Sequence, residues 1–122
     1  MVKVKKRLKS LLPALKEKNR YLVFEIVSDD KIRDFKAVSR QINLKMSELV
    51  GSLGMARANI RVLADKWRPN RQRGIIKVNH RYAHELKSAL AMIDRLKGKD
   101  AIVRSAGLSG ILKKAESKYI AS

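Results

Sequence analysis

The chain is predicted to adopt an α+β fold with elements in the order β-α-β-β-α-β. Three observations carry that prediction: two apolar stripes at helical spacing, four short runs of β-forming residues around them, and a polar, proline-containing turn joining the middle two runs. Residues 1–19 read as a basic N-terminal arm and residues 20–122 as one domain.

The first twenty positions hold Lys3, Lys5, Lys6, Arg7, Lys9, Lys16, Lys18 and Arg20 against a single acid, Glu17. Val4, Leu8, Leu11, Leu12 and Leu15 fall on one side of a helix, so the arm can be helical in part. A solvated tail, a membrane-surface helix or a transit peptide would share this composition. The basic character of the remaining chain favours an arm that faces nucleic acid. Tyr21-Leu22-Val23-Phe24-Glu25-Ile26-Val27 predicts a buried first strand. Ser28-Asp29-Asp30 supplies residues that cap a helix, and Phe35, Val38, Ile42, Met46 and Leu49 then form an apolar stripe that Gly51-Ser52-Leu53-Gly54 ends. Asn59 to Trp67 alternates as a second strand, with Ile60, Val62 and Ala64 on one face and Arg61, Leu63 and Asp65 on the other.

Arg68-Pro69-Asn70-Arg71-Gln72-Arg73 is a turn, because proline fixes φ and this polar run cannot sit in a core. Gly74 to Asn79 is the third strand, antiparallel to the second. Tyr82, Leu86, Ala89, Ile93 and Leu96 mark the second helix, and Gly98 suits its left-handed cap. Ala101-Ile102-Val103 is a short fourth strand. Ser109 is placed to cap a last helix carrying Leu112, Ala115 and Tyr119 on one side. Together these make a ferredoxin-like split β-α-β-β-α-β fold, RNA-recognition-motif-like, with helical N- and C-terminal extensions. Two helices cover one sheet face, and the other is left to the terminal elements or to a partner. Val23, Leu63, Ile75 and Ile102 on that second face are too apolar for solvent and suit a protein partner.

The 122 residues are 45% apolar and 33% charged, enough for a packed core beneath a very polar surface. Lys plus Arg is 29 and Asp plus Glu 11, a net charge of +18. Such an excess repels itself in a compact chain, and a polyanionic partner is the usual reason to tolerate it. The absence of cysteine excludes disulfides, thiol catalysis and cysteine-held zinc, and suits a reducing interior. The expected location is cytoplasmic: no apolar run approaches a bilayer's width, and Pro13 breaks the run Leu11-Leu12 that a secretory signal would need to extend.

The basic residues concentrate. Arg57, Arg61, Lys66, Arg68, Arg71, Arg73, Lys77 and Arg81 face only Asp65 in their segment, and Lys113 and Lys114 lie on the last helix. These ten are the candidate RNA-binding residues, with Arg68, Arg71 and Arg73 of the turn expected to grip phosphate without a part in the fold. Base stacking is not expected. Arg73-Gly74-Ile75-Ile76-Lys77-Val78 offers isoleucine and lysine where an RNA recognition motif places rings, and the rings on strands are Tyr21, Phe24 and Trp67. Contacts to the backbone and shape of folded RNA are the expectation. His80 and His84 are four apart but lack the third ligand and the spacing of a catalytic zinc site, so no metal site is assigned. An acyl-phosphate hydrolase of this topology would need a glycine-rich phosphate loop after the first strand, where this chain has Val27-Ser28-Asp29-Asp30-Lys31. No nucleophile–base pair or carboxylate dyad is found, so no catalytic residue is assigned.

Several segments resemble the archaeal and eukaryotic ribonuclease P protein component 2 family. They are Leu12-Pro13 with Lys18-Asn19-Arg20-Tyr21-Leu22-Val23-Phe24-Glu25-Ile26, then Glu48-Leu49-Val50-Gly51-Ser52-Leu53-Gly54, then Arg73-Gly74-Ile75-Ile76-Lys77-Val78. Ala89-Leu90-Ala91-Met92-Ile93 and Ser109-Gly110-Ile111-Leu112-Lys113-Lys114 complete the series. Ile111 stands where the family often has Thr, and Ser52-Leu53 where it often has Glu between the glycines. The resemblance implies an accessory subunit of the ribonucleoprotein that removes the 5′ leader from precursor tRNA. It implies hydrolysis by the RNA subunit with Mg²⁺, no cofactor on the protein itself, and assembly with ribonuclease P protein component 3, two copies of each. The residues alone leave open a general structured-RNA-binding protein of ribosomal type.

Overall fold

The computed structural model describes residues 18–120. The arm expected over residues 1–19 lies outside the described residues apart from Lys18 and Asn19, and so does its expected helix. The elements are β1 (Asn19–Ser28), α1 (Phe35–Ala58), β2 (Arg61–Val62), β3 (Arg73–Asn79), α2 (Ala83–Ala91), β4 (Arg95–Leu96), β5 (Lys99–Ser109) and α3 (Leu112–Ala115), the last running into a π-helical turn over Glu116–Ile120. The five strands form one antiparallel sheet in the order β2-β3-β1-β5-β4. Without the added β4 this is the ferredoxin-like order that the sequence predicts.

The main core lies between the sheet and the two long helices. Leu22, Phe24 and Ile26 of β1, Ile76 and Val78 of β3 and Val103 of β5 meet Val38, Ile42 and Met46 of α1 and Leu86, Ala89 and Leu90 of α2. Alternate residues of a strand point to opposite faces, so Val23 and Ile75 belong to the other face. There they are buried with Ala115 and Ile120, and Tyr21, Leu63, Leu112 and Tyr119 pack around them. The expected partner face is therefore corrected in part. The chain's own C-terminal segment covers Val23 and Ile75 completely, Leu63 is half-buried beside them, and Ile102 alone of the four is open, at 63% exposure.

Several boundaries move for identifiable reasons. Asp34, not Ser28-Asp29-Asp30, caps α1, its Oδ1 accepting from the Lys36 and Ala37 amides at 3.0 and 3.3 Å. The intervening residues carry the chain from the sheet to the helix layer, and Ile32 is buried on the way. Gly51 interrupts α1 at φ 73° and ψ 179°, a conformation nearly closed to other residues, but the helix resumes and ends at Asn59, φ 47°. The resumed turns bury Gly54 and Ala58. The second strand is short: Arg61 and Val62 pair with Lys77 and Ile76, and Ala64–Lys66 then coils into a 3₁₀ turn that leaves Ala64 exposed.

The second helix stops at Ala91 rather than Leu96. Lys97 and Gly98, at φ 54° and 76°, form the two-residue turn of the β4–β5 hairpin, so Gly98 is not a helix cap. The last strand runs eleven residues instead of three, with a bulge at Ala106 where the register against Val23 and Phe24 shifts. Ser109 does not cap α3. Its hydroxyl accepts from the Ile111 amide at 3.1 Å, one turn short of the helix.

Candidate nucleic-acid interface

Strand register sorts the basic residues into two ends of one sheet. The turn bearing Arg68 and Arg71 precedes β3, beside the C-terminal end of β1, as the Ile26 amide donating to Gln72 O at 2.8 Å and Lys31 Nζ donating to Asn70 O at 3.1 Å both show. Arg61 and Lys77 lie toward the opposite end, where Asn19 faces Asn79. Arg73 and Asn79 are separated by six strand steps, about 20 Å at ~3.3 Å per residue. Mobile ions screen surface charges beyond about 8 Å at physiological ionic strength, so the two ends act as separate electrostatic surfaces.

At the turn's end most cations are paired with acids, while Arg68 and Arg71 are exposed and pair with no described carboxylate. One rung reads Arg73–Glu25–Arg104 across β3, β1 and β5, with the carboxylate between the two cations. Arg73 Nε lies 2.9 Å from Glu25 Oε2, and Arg104 donates to Glu25 Oε1. The Arg73 hydrogen bond, with help from Arg104, holds the Glu25 carboxyl below its ordinary range against the opposing effect of burial. Arg73 also donates to Tyr119 O at 2.6 Å, and Lys66 Nζ sits 2.6 Å from Glu116 Oε2. These two cations tie the C-terminal segment to the sheet. Arg73, expected to have no part in the fold, is corrected to a residue that holds it, and Lys66 is likewise engaged by Glu116. Lys97–Asp34, Lys99–Asp30 and Arg95–Asp100 pairs neutralise the same end further.

At the other end the rung reads Arg61–Lys77–Tyr21–Ser109 across β2, β3, β1 and β5. Two cations face each other directly with no acid between them, an arrangement that costs roughly 0.2–1 kcal/mol in a free protein. Neither pairs with a described carboxylate. Exposed Lys18, Arg20 and Arg57 adjoin: Lys18 O accepts from the His80 amide at 2.9 Å, and Arg57 lies in the last turn of α1, four residues before Arg61. Lys113 and Lys114 are exposed just beyond Ser109, and Arg81 follows β3. Of the ten candidates, Arg57, Arg61, Lys77, Arg81, Lys113 and Lys114 thus gather toward one end, while Lys66, Arg68, Arg71 and Arg73 gather at the other.

The strand rings are not a stacking platform. Trp67 is on no strand: it is buried 5.9 Å from Phe24, near parallel to it, and donates to Arg33 O at 3.4 Å. Tyr21 alone stands beside the basic rung, half-buried. Sequence reasoning missed Gln72. Its amide oxygen accepts from the Ile32 N–H at 2.8 Å and its nitrogen donates to Ile32 O and Pro69 O at 2.7 and 2.8 Å, which fixes the turn. Nothing in a polar turn sequence marks one glutamine as buried.

The profile of the Rpp14/Pop5 family matches residues 20–120, the whole sheet, both covering helices and the C-terminal segment. The chain belongs to the Rpp14/Pop5 family. Among the curated proteins, it is 36% identical over 118 residues to ribonuclease P protein component 2 of Pyrococcus horikoshii, covering 95% of this chain and 94% of the relative. The protein of the same name from Methanosarcina acetivorans is 35% identical over 113 residues, covering 93% and 82%. A chain in the cryo-EM structure of yeast ribonuclease MRP shares the fold, with TM-score 0.58 and 18% identity over 77% of this chain and 75% of that one. Family membership agrees with the segments quoted from the sequence, and the shared fold agrees with the ferredoxin-like order.

Proposed function

We propose that this chain is a protein subunit of a ribonuclease P ribonucleoprotein, supporting the RNA that removes the 5′ leader from precursor tRNA. The observation that carries this reading is the near full-length match to ribonuclease P protein component 2 from several archaea. The unneutralised Arg61–Lys77 rung supplies a physical role consistent with it. Folding an RNA crowds its phosphates, and a rigid cationic domain offsets their repulsion. Less free Mg²⁺ then suffices to hold the active RNA conformation. On this reading hydrolysis belongs to the RNA and its Mg²⁺, the protein binds no cofactor and cuts nothing alone, and the assembly includes ribonuclease P protein component 3 in two copies of each. The cytoplasm is the proposed location.

The test is reconstitution of precursor-tRNA cleavage from the RNA subunit and its protein partners, with and without this chain. Cleavage in its presence at several-fold lower Mg²⁺ is expected. Equal cleavage without it rejects the reading, and capture on ribosomes in place of that RNA would move the chain to the ribosomal class.

A further inference from the structure

The outer edge of β5 is, among the described residues, unpaired over most of its length. Among the described residues, β4 pairs only with Lys99 and Asp100, and the Ala101 amide adds one bond to Asp94 O at 3.0 Å. β5 then continues to Ser109 against β1 on its inner side alone. Backbone groups of a strand alternate in direction. Ala101 points its N–H outward, so Val103 and Ser105 present N–H and C=O to the open edge, while Ile102 and Arg104 are directed to Val27 and Glu25 of β1.

The edge borders a concavity that is partly open to solvent. It forms one wall of a cleft of about 720 Å³ whose other wall is α2, with Ala91, Ile93, Ala101 and Val103 as its apolar lining. Lys87 on the helix side and Asp94 at the hairpin side line the same cleft, and neither forms an ion pair with a described residue. An exposed edge beside a helix, with an apolar floor between, is the arrangement by which extended peptides are added to a sheet.

We infer that the β5–α2 cleft receives an extended segment of a protein partner, which adds to the sheet beyond β5. The free main-chain groups require a strand, since only an extended backbone can match Val103 and Ser105 together. The lining requires apolar side chains at alternate positions of that segment. Charge complementarity requires a carboxylate against Lys87 and a cation against Asp94. The apolar floor and the unpaired main-chain groups favour a peptide over RNA, since Asp94 and Asp100 offset Lys87 and Arg104 along the lining. A second copy of the chain is disfavoured by its net charge of +18. This surface is distinct from the basic end of the sheet to which the proposed RNA contact is assigned, and peptide binding to it is tested without the ribonuclease P RNA.

The experiment pans a phage-displayed library of seven-residue peptides against the full chain and follows amide hydrogen exchange with the recovered peptides. The amides of Val103 and Ser105 are expected to gain at least tenfold protection, and those of Ile102 and Arg104, already bonded to β1, to change little. Ser105→Pro removes one outward N–H and spares the β1 ladder, and it is expected to weaken peptide binding about tenfold. Lys87→Glu, on an exposed helical position, is expected to do the same for peptides bearing a carboxylate, with an unchanged melting temperature showing that the fold is kept. Peptides that bind both variants as well as the parent, or protection confined to other segments, overturn the inference. So does equal protection of Val103 and Ser105 by tRNA alone, or by raised protein concentration alone.

Discussion

At the scale of single residues, the side chains that matter most to the fold are polar ones that satisfy others. Glu25 is the single acid in an apolar β-run, and its place between Arg73 and Arg104 explains why it is tolerated on a half-buried strand. With its carboxyl held below the ordinary range, the native state binds fewer protons than the unfolded chain around pH 4. The stabilisation is present in full above the unfolded pKa and is lost as pH falls through the folded one. Asp34 shifts in the same direction, chiefly through Lys97 and then through the amides it caps. Urea unfolding from pH 7 to pH 3 should show the parent losing stability more steeply below about pH 5 than Glu25→Gln does. At pH 7 the variant should be less stable by about 1–3 kcal/mol, because two arginines lose their shared negative charge and one of its two acceptor oxygens becomes a donor. An unchanged slope would mean that the triad does not titrate as described. Gln72 is not legible in the sequence for the opposite reason: it looks like turn surface, and only the burial of Ile32 forty residues away gives its amide a role.

At the scale of elements, helix and strand periodicity mislead where the backbone departs from regularity. Glycine commonly ends helices, so Gly51 reads as a terminus, but its φ of 73° and ψ of 179° make it a break inside one. Gly51→Ala should cost about 1–3 kcal/mol in chemical denaturation, since that conformation is all but restricted to glycine. A neutral result would mean that the two helical segments can join without the break. The C-terminal segment depends on another glycine. A Cβ at Gly107 would run into the Tyr119 ring, so Gly107→Ala should lift the segment from β1 and β5. Faster exchange of the amides of Ala115–Ile120, with the β1–β3 ladder still protected, is the expected signature. Uniform loss of protection would instead make the segment part of the global folding unit.

At the scale of the whole molecule, the charge of +18 is not spread evenly, and its division predicts where a polyanion lies. Each cation withdrawn from a phosphate shallows the dependence of log affinity on log salt by roughly 0.7–0.9. Arg61→Ala with Lys77→Ala should therefore reduce the slope by about 1.4–1.8 on ribonuclease P RNA and leave the thermal midpoint equal or higher, since two opposed cations are relieved. Arg68→Ala with Arg71→Ala, at the end that also holds Glu25, Asp30, Asp34 and Asp100, should change the slope less. The reverse ranking would place RNA on the turn. Reversing Arg73 is a poor probe, because Glu25 and the Tyr119 carbonyl lose their donor together.

The sequence alone determined the element order apart from β4, the core faces of β1 and of both long helices, and the strong positive charge, because periodicity, β-forming runs and net charge are properties of the chain itself. It also carried the family resemblance. Only the tertiary structure decided which cations pair with described acids, that Val23 and Ile75 lie beneath the chain's own C-terminal segment, and that the last strand is long and, among the described residues, unpaired on one edge. Each of those depends on which distant segments meet, and strand register, which places Glu25 beside Arg73 but no acid beside Lys77, is set by the pairing of whole strands.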